Sequence, residues 1–166
     1  MPRAPDELER LYEEDFYAWT RAQARALRQL ARTRPNVPVD WKHLVEEVED
    51  LGRSELHAVR SQLRRALVHL LKLAVSPACG PRRLWRASVL DARAEIEERL
   101  SATLRRRLAR ELSEIYVRAR AIAAEELAAH GEHEAAAHLP ERCPWTLAQL
   151  LDPDFWPEPR HAHGDG

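Results

Sequence analysis

The sequence predicts an all-α protein: an antiparallel four-helix bundle-like core with a short C-terminal helix and a mobile tail. Three observations carry that expectation. Ala, Leu, Arg and Glu dominate the 166 residues, and these side chains lose little rotamer freedom on a helical backbone. Only 5 Gly are present and β-branched residues are sparse, which argues against a β fold built on tight turns. Apolar residues recur at helical spacing between breaks marked by proline. With 45% hydrophobic and 32% charged residues the composition fits one compact soluble domain, drawn at residues 1–156, with a flexible tail at 157–166.

The first helix is expected from about Asp6, as N-cap, to near Arg32, with Leu8, Tyr12, Phe16, Trp19, Ala26 and Leu30 on one face. The RPNVPVD segment ends it, because proline removes a donor and pushes the preceding residue out of helical geometry. Asp40 caps a longer second helix that carries Trp41, Val45, Val48, Leu56, Val59, Leu63, Leu67 and Leu70 and stops before Pro77. SPACGP turns the chain back, and Pro81 suits the first position of a third helix with Trp85, Val89, Ala92 and Ile96 inward. Ser101 to Thr103 interrupt that helix or cap a fourth, which runs to about His130 and ends at Gly131. A short helical stretch follows near Glu132 to His138, then a PERCPW turn and a last helix from Thr146 to Leu151. Leu51, Leu71 and Leu73 fall outside the main seam of the second helix, so either the C-terminal segment or a second subunit must cover them. A homodimer is one expectation.

Charge excludes some functions. The formal net charge is -1, which gives no global attraction for nucleic acid or anionic lipid. Its distribution is uneven: Arg82 to Arg120 hold 11 Arg against 6 acids, and residues 121 to 166 hold 9 acids against 2 Arg. Nucleic-acid binding through the third helix is unfavoured all the same, because no basic block is interleaved with aromatics. The longest apolar run, Ala66 to Val75, is interrupted by His69 and Lys72 and is too short to span a bilayer. Without a secretion signal at the N-terminus, the expected location is the cytoplasm, where Cys79 and Cys143 stay as free thiols.

The informative residues are polar side chains placed on apolar faces. A helical wheel puts Asp15 at the centre of the first stripe, Glu49 at the edge of the second one turn from Gly52, Glu126 on the fourth, and His69 on the border of the second. Gly52 sits at a stripe centre, where the lack of a side chain lets another helix approach. A buried carboxylate is costly unless paired, so these acids need partners. One set is structural: Arg86, Arg93 and Arg99 on the third helix, and the indole N–H groups of Trp19, Trp41 and Trp85. Glu46 and Glu49 can also pair along their own helix with Arg53. The other partner is a divalent metal held by Asp15, Glu46 or Glu49, His69 and Glu126, since bundles build such sites from inward carboxylates and imidazoles. The Glu-x-x-His spacing of carboxylate-bridged sites is absent at the relevant places, and a G-x-S-x-G elbow, a phosphate loop and H-E-x-x-H are absent altogether.

Six motifs in order carry a resemblance: YEEDFYAW at Tyr12 to Trp19, LVEEVEDLGRSE at Leu44 to Glu55, HLLKL at His69 to Leu73, LWRASVLDAR at Leu84 to Arg93, YVRARAIAAEE at Tyr116 to Glu126, and CPWTLAQLLD at Cys143 to Asp152. On these the chain resembles the bacterial domain-of-unknown-function family numbered twenty-nine, over roughly residues 10 to 155. The resemblance implies a small, mostly helical protein without a settled activity. It departs from the family pattern after Glu126, where Leu127 stands in place of Thr, and in the expanded EHEAAAH connection. The expected function is therefore a helical module that binds an unknown protein partner or itself, with no cofactor and no membrane. The alternatives are a metal-dependent enzyme of phosphoester or nucleotide chemistry, with Arg86 or Arg93 facing an anionic group, and salt-sensitive nucleic-acid binding by the third helix.

Overall fold

The computed structural model describes residues 5–34 and 36–159, and every regular element among them is a helix. In order these are α1 (Pro5–Glu14), α2 (Phe16–Thr33), α3 (Trp41–Val75), α4 (Arg82–Arg99), α5 (Ala102–Ala129), α6 (His133–Ala137) and α7 (Leu147–Leu151). None is long and apolar enough to cross a membrane. The HAHGDG ending of the expected tail lies outside the described residues.

The expected first helix is two. Asp15 separates α1 from α2 and is the N-cap of α2, its carboxylate accepting from the Ala18 N–H at 3.0 Å. Asp6 lies inside the first turn of α1, where a negative charge suits the helix dipole. The other boundaries follow local chemistry. Asp40 accepts the His43 N–H at 3.2 Å at the start of α3, and Thr146 and Gln149 close a capping box at the start of α7. Gly131, at φ 80, ends α5: its N–H reaches the Ala128 carbonyl at 2.9 Å and the Glu132 N–H reaches that of Leu127 at 2.9 Å. That left-handed turn is open to glycine without steric cost.

The chain divides into two compact units, Met1–Ala58 with Arg99–Arg107, and Val59–Glu98 with Leu108–Gly166. In unit two the C-terminal part of α3 meets α4 through Arg65 with Asp91, and through Arg82, which donates to the Leu73 carbonyl at 2.9 Å. Position rises along α4 as it falls along α3, so the two run antiparallel. Arg60 with Glu111 at 3.1 Å and Lys72 with Glu126 at 2.6 Å set α5 parallel to α3. Leu63, Leu67, Leu70, Leu71, Val89, Ala92, Leu108 and Leu150 are among the fully buried residues between them. Leu71 and Leu73 are thus covered within the chain and need no second subunit. Unit one has a thinner interior, formed by Tyr17, Ala24, Val45, Leu56 and Leu104 among the described residues.

Candidate functional site

Unit one is tied together by one carboxylate. Besides capping α2, Asp15 accepts from the Ser101 hydroxyl at 2.8 Å and the Thr103 N–H at 3.1 Å, so it also satisfies the free donors that open α5. Burial pushes its carboxyl pKa up, but the hydrogen bonds from Thr103, Ala18 and Ser101 outweigh that and hold it below the usual carboxylate value. Asp15 is therefore a charged clamp on two helix starts, and the expected place at the centre of a continuous stripe is corrected. The periodicity survives the break because Tyr12, Phe16 and Trp19 still gather across it, with Phe16 stacked on Trp19 at 5.5 Å.

Close to this clamp α2 crosses α3 at Gly52. A Cβ there would overlap the hydroxyl of Thr20, itself buried and bonded to the Tyr17 carbonyl at 2.8 Å. The bare glycine is what allows the approach, as the wheel predicted. Glu49 pairs with Arg28 of α2 at 2.5 Å, while Arg53 takes Asp50; neither Glu46 nor Glu49 uses Arg53. Glu46 is exposed. Arg99, the last residue of α4, pairs with Glu55 at 3.2 Å.

The crossing leaves one face of α3 uncovered. Trp41, Leu44, Val48 and Leu51 follow one another at the alternating three and four spacing of a coiled-coil seam, and Glu55 continues the line. Leu44 is 40% exposed and Leu51 is 50% exposed. Val48 and Trp41 are half-buried. Arg99 covers the face at Glu55; above it Leu44 and Leu51 are open to solvent, with Trp41 and Val48 half-buried between and beside them. Beside it lie Asp40 and Glu47, both exposed.

Unit two holds a second polar group. Lys72, with 8% of its side chain exposed, pairs with Glu126 on α5, which is 42% exposed, and rests on the face of Trp85 at 4.6 Å. His69 lies one turn before it. Burial, then the Lys72 charge, lower its pKa against the opposing pull of Glu126, so the ring is neutral at pH 7, and its buried Nδ1 has no hydrogen-bond partner. Lys72 is the residue sequence reasoning missed; its place in an apolar run, one turn from His69, was the available signal.

The arginines expected to meet the inward acids do something else. Arg93 donates to three carbonyls of the C-terminal segment, Leu150 at 2.8 Å, Phe155 at 3.0 Å and Pro153 at 3.4 Å, and faces the Trp156 ring. Arg86 lies over the same ring at 4.0 Å. Trp156 and Trp145, the latter against Phe155 at 6.1 Å, are engaged within the chain. Arg120 and the Tyr116 hydroxyl share the Pro140 carbonyl at 2.8 and 2.6 Å. Arg82, Arg93 and Arg120 of the basic segment thus serve to satisfy backbone carbonyls at helix ends and in loops. Among the described residues Trp41 Nε1 is buried without a partner, and Trp85 meets Lys72 through its ring face.

Of the expected site residues, Asp15, Glu46 and Glu49 belong to unit one, and His69, Arg86, Arg93 and Glu126 to unit two. Among the described residues no group of three or more His, Cys, Asp or Glu is arranged to hold a metal ion.

Among the described residues seven helices, with a helix-crossing glycine and arginine-to-carbonyl bonds, define an α-helical protein. Its sequence places it further: the chain belongs to the family described as Domain of unknown function DUF29, whose pattern matches residues 11–156. It is also similar to an alpha-helical protein of unknown function from Rhodospirillum rubrum ATCC 11170, known from a crystal structure. Identity is 30%, the TM-score is 0.75, and the similarity covers 87% of this chain and 90% of that one. No curated protein matches.

Proposed function

We propose that the protein is a binding module that docks another protein on the open face of α3, and that it has no catalytic role. The observation that carries this reading is the seam of Trp41, Leu44, Val48 and Leu51, in which Leu44 and Leu51 stand 40% and 50% exposed one heptad apart on the same helical face. Burying the exposed parts of Leu44 and Leu51 contributes about 1–3 kcal/mol each. After the cost of association, a seam of this size gives a transient complex rather than a permanent one. The inward acids support the same reading, since Asp15, Glu49 and Glu126 each have partners inside the chain. We infer a cytoplasmic location as well; the free Cys79 and Cys143 are compatible with it.

A photo-crosslinking amino acid placed at Leu51 in the native host tests the reading. The expected product is a discrete crosslinked species, with none from the same probe at Glu97, an exposed position of α4 in unit two. Equal labelling at both positions, or none at Leu51, would overturn it.

A further inference from the structure

Resting on the α3 docking face proposed above, we infer that its occupant is an amphipathic helix of a partner protein with basic residues beside its apolar stripe. The seam itself selects a helix. Its three and four spacing is the pattern into which the knobs of a second helix fit, and the ten steps from Trp41 to Leu51 rise about 15 Å, nearly three turns of a partner.

The rim selects the charge. Around α3, going outward from the seam, the next positions are Asp40 and Glu47, both exposed; Asp40 already holds His43 at 2.6 Å, while Glu47 makes no ion pair among the described residues and is the carboxylate left for a visitor. One end of the same face already shows the match: Glu55 is occupied by the guanidinium of Arg99, supplied by the end of α4. A visiting helix extending that line toward the start of α3 meets the Glu47 carboxylate, with Asp40 beside it, and Lys or Arg on its flank pairs with Glu47. A second copy of this chain is a poor occupant. Packing α3 against its own counterpart sets Glu47 and Asp40 beside the same acids, and like charges across such a seam oppose pairing.

Two probe peptides test this against the full-length protein: a helical heptad peptide with Leu at its seam positions and Lys on both flanks, and its counterpart with Glu on the flanks. Fluorescence anisotropy of the labelled peptides gives the dissociation constants. The Lys-flanked peptide is expected to bind at least tenfold more tightly, the preference to shrink at least fivefold in Glu47→Lys, and Leu51→Asp to abolish binding of both. Helical circular dichroism confirms that each variant is folded, and Leu51→Ala provides a milder second variant, with binding weakened severalfold. Equal affinities, a preference unchanged by Glu47→Lys, or a dimeric mass that Leu51→Asp reduces to the monomer would each overturn the basic partner. If both peptides bind equally and Leu51→Asp still abolishes binding, the docking face stands and only the charge assignment fails. If Leu51→Asp changes nothing, the docking face itself fails.

Discussion

The two units of the chain solve opposite problems. Unit two buries a long list of leucines and ties its C-terminal segments down by arginine, with Arg93 on three carbonyls and Arg120 on two. Unit one has few buried apolar residues, keeps Leu44 and Leu51 outside, and relies on Asp15, the Arg28–Glu49 pair and the Gly52 crossing. What the difference teaches is that unit one is positioned by polar bonds so that an apolar face can stay free. The large apolar residues that unit two leaves exposed, Leu84 and Leu90 on α4 and Val117 and Ile122 on α5, do not line up at the three and four spacing of such a seam.

The comparison predicts where substitutions hurt. In unit two, Arg93→Ala removes three charge-assisted bonds to carbonyls and should cost about 4 kcal/mol, with hydrogen exchange of residues 150–156 rising most. Lysine at that position should not restore it, because one ammonium cannot reproduce the guanidinium fork. A cost under about 1 kcal/mol would mean that the C-terminal segment is held by its aromatic contacts instead.

In unit one, Asp15→Ala uncaps two helix starts and should cost about 2–3 kcal/mol by denaturant unfolding at pH 7. The carboxyl is held below its ordinary value of 3.8, so the unfolded chain takes up this proton first on acidification. Its stabilisation is therefore complete above that value and is lost as pH falls through the folded-state value. The gap between wild type and Asp15→Ala should narrow below pH 3.8 and stay constant above about pH 5. A gap that stays constant down to the acid limit would show that the charge of Asp15 contributes nothing.

A smaller effect separates the members of the unit-two ion pair. Glu126→Gln leaves the ammonium of Lys72 buried on Trp85 without its counter-charge and should cost about 1–2 kcal/mol. Lys72→Met leaves Glu126 in contact with water and should be close to neutral. The reverse order, measured by thermal unfolding at pH 7, would contradict the burial argument. Smaller again is Gly52→Ala: the gain in helix propensity, about 1 kcal/mol, offsets part of the clash with Thr20, for a net loss near 1 kcal/mol. Combining it with Thr20→Ala should remove the clash and recover most of that loss, and a double-mutant cycle reads the coupling.

Features set by neighbouring residues were legible in the sequence. Asp40, Gly131 and Thr146 act within one helical turn, and Gly52 is visible because a gap in a stripe can be read from one helix. Asp15 was flagged as misplaced polarity, but its role was hidden: apolar spacing runs across the break, and its partners Ser101 and Thr103 lie 86 and 88 positions away. Arg93 was flagged too, yet its acceptors are backbone carbonyls, which leave no mark in a sequence. The open seam had the same limitation. Leu51 stood out as surplus beside Leu71 and Leu73, and only the packing showed that it alone of the three lacks cover.

The smallest effect expected on stability belongs to the substitution expected to matter most for function. Leu44→Asp combined with Leu51→Asp replaces two exposed side chains and should shift stability by no more than about 0.5 kcal/mol. Native mass spectrometry of the protein purified from its host, wild type beside this double variant, tests the central claim directly. The account predicts that the wild type carries a partner of fixed mass and stoichiometry, and that the variant, with an unchanged melting temperature, is recovered alone. A folded variant that keeps the same partner would contradict it.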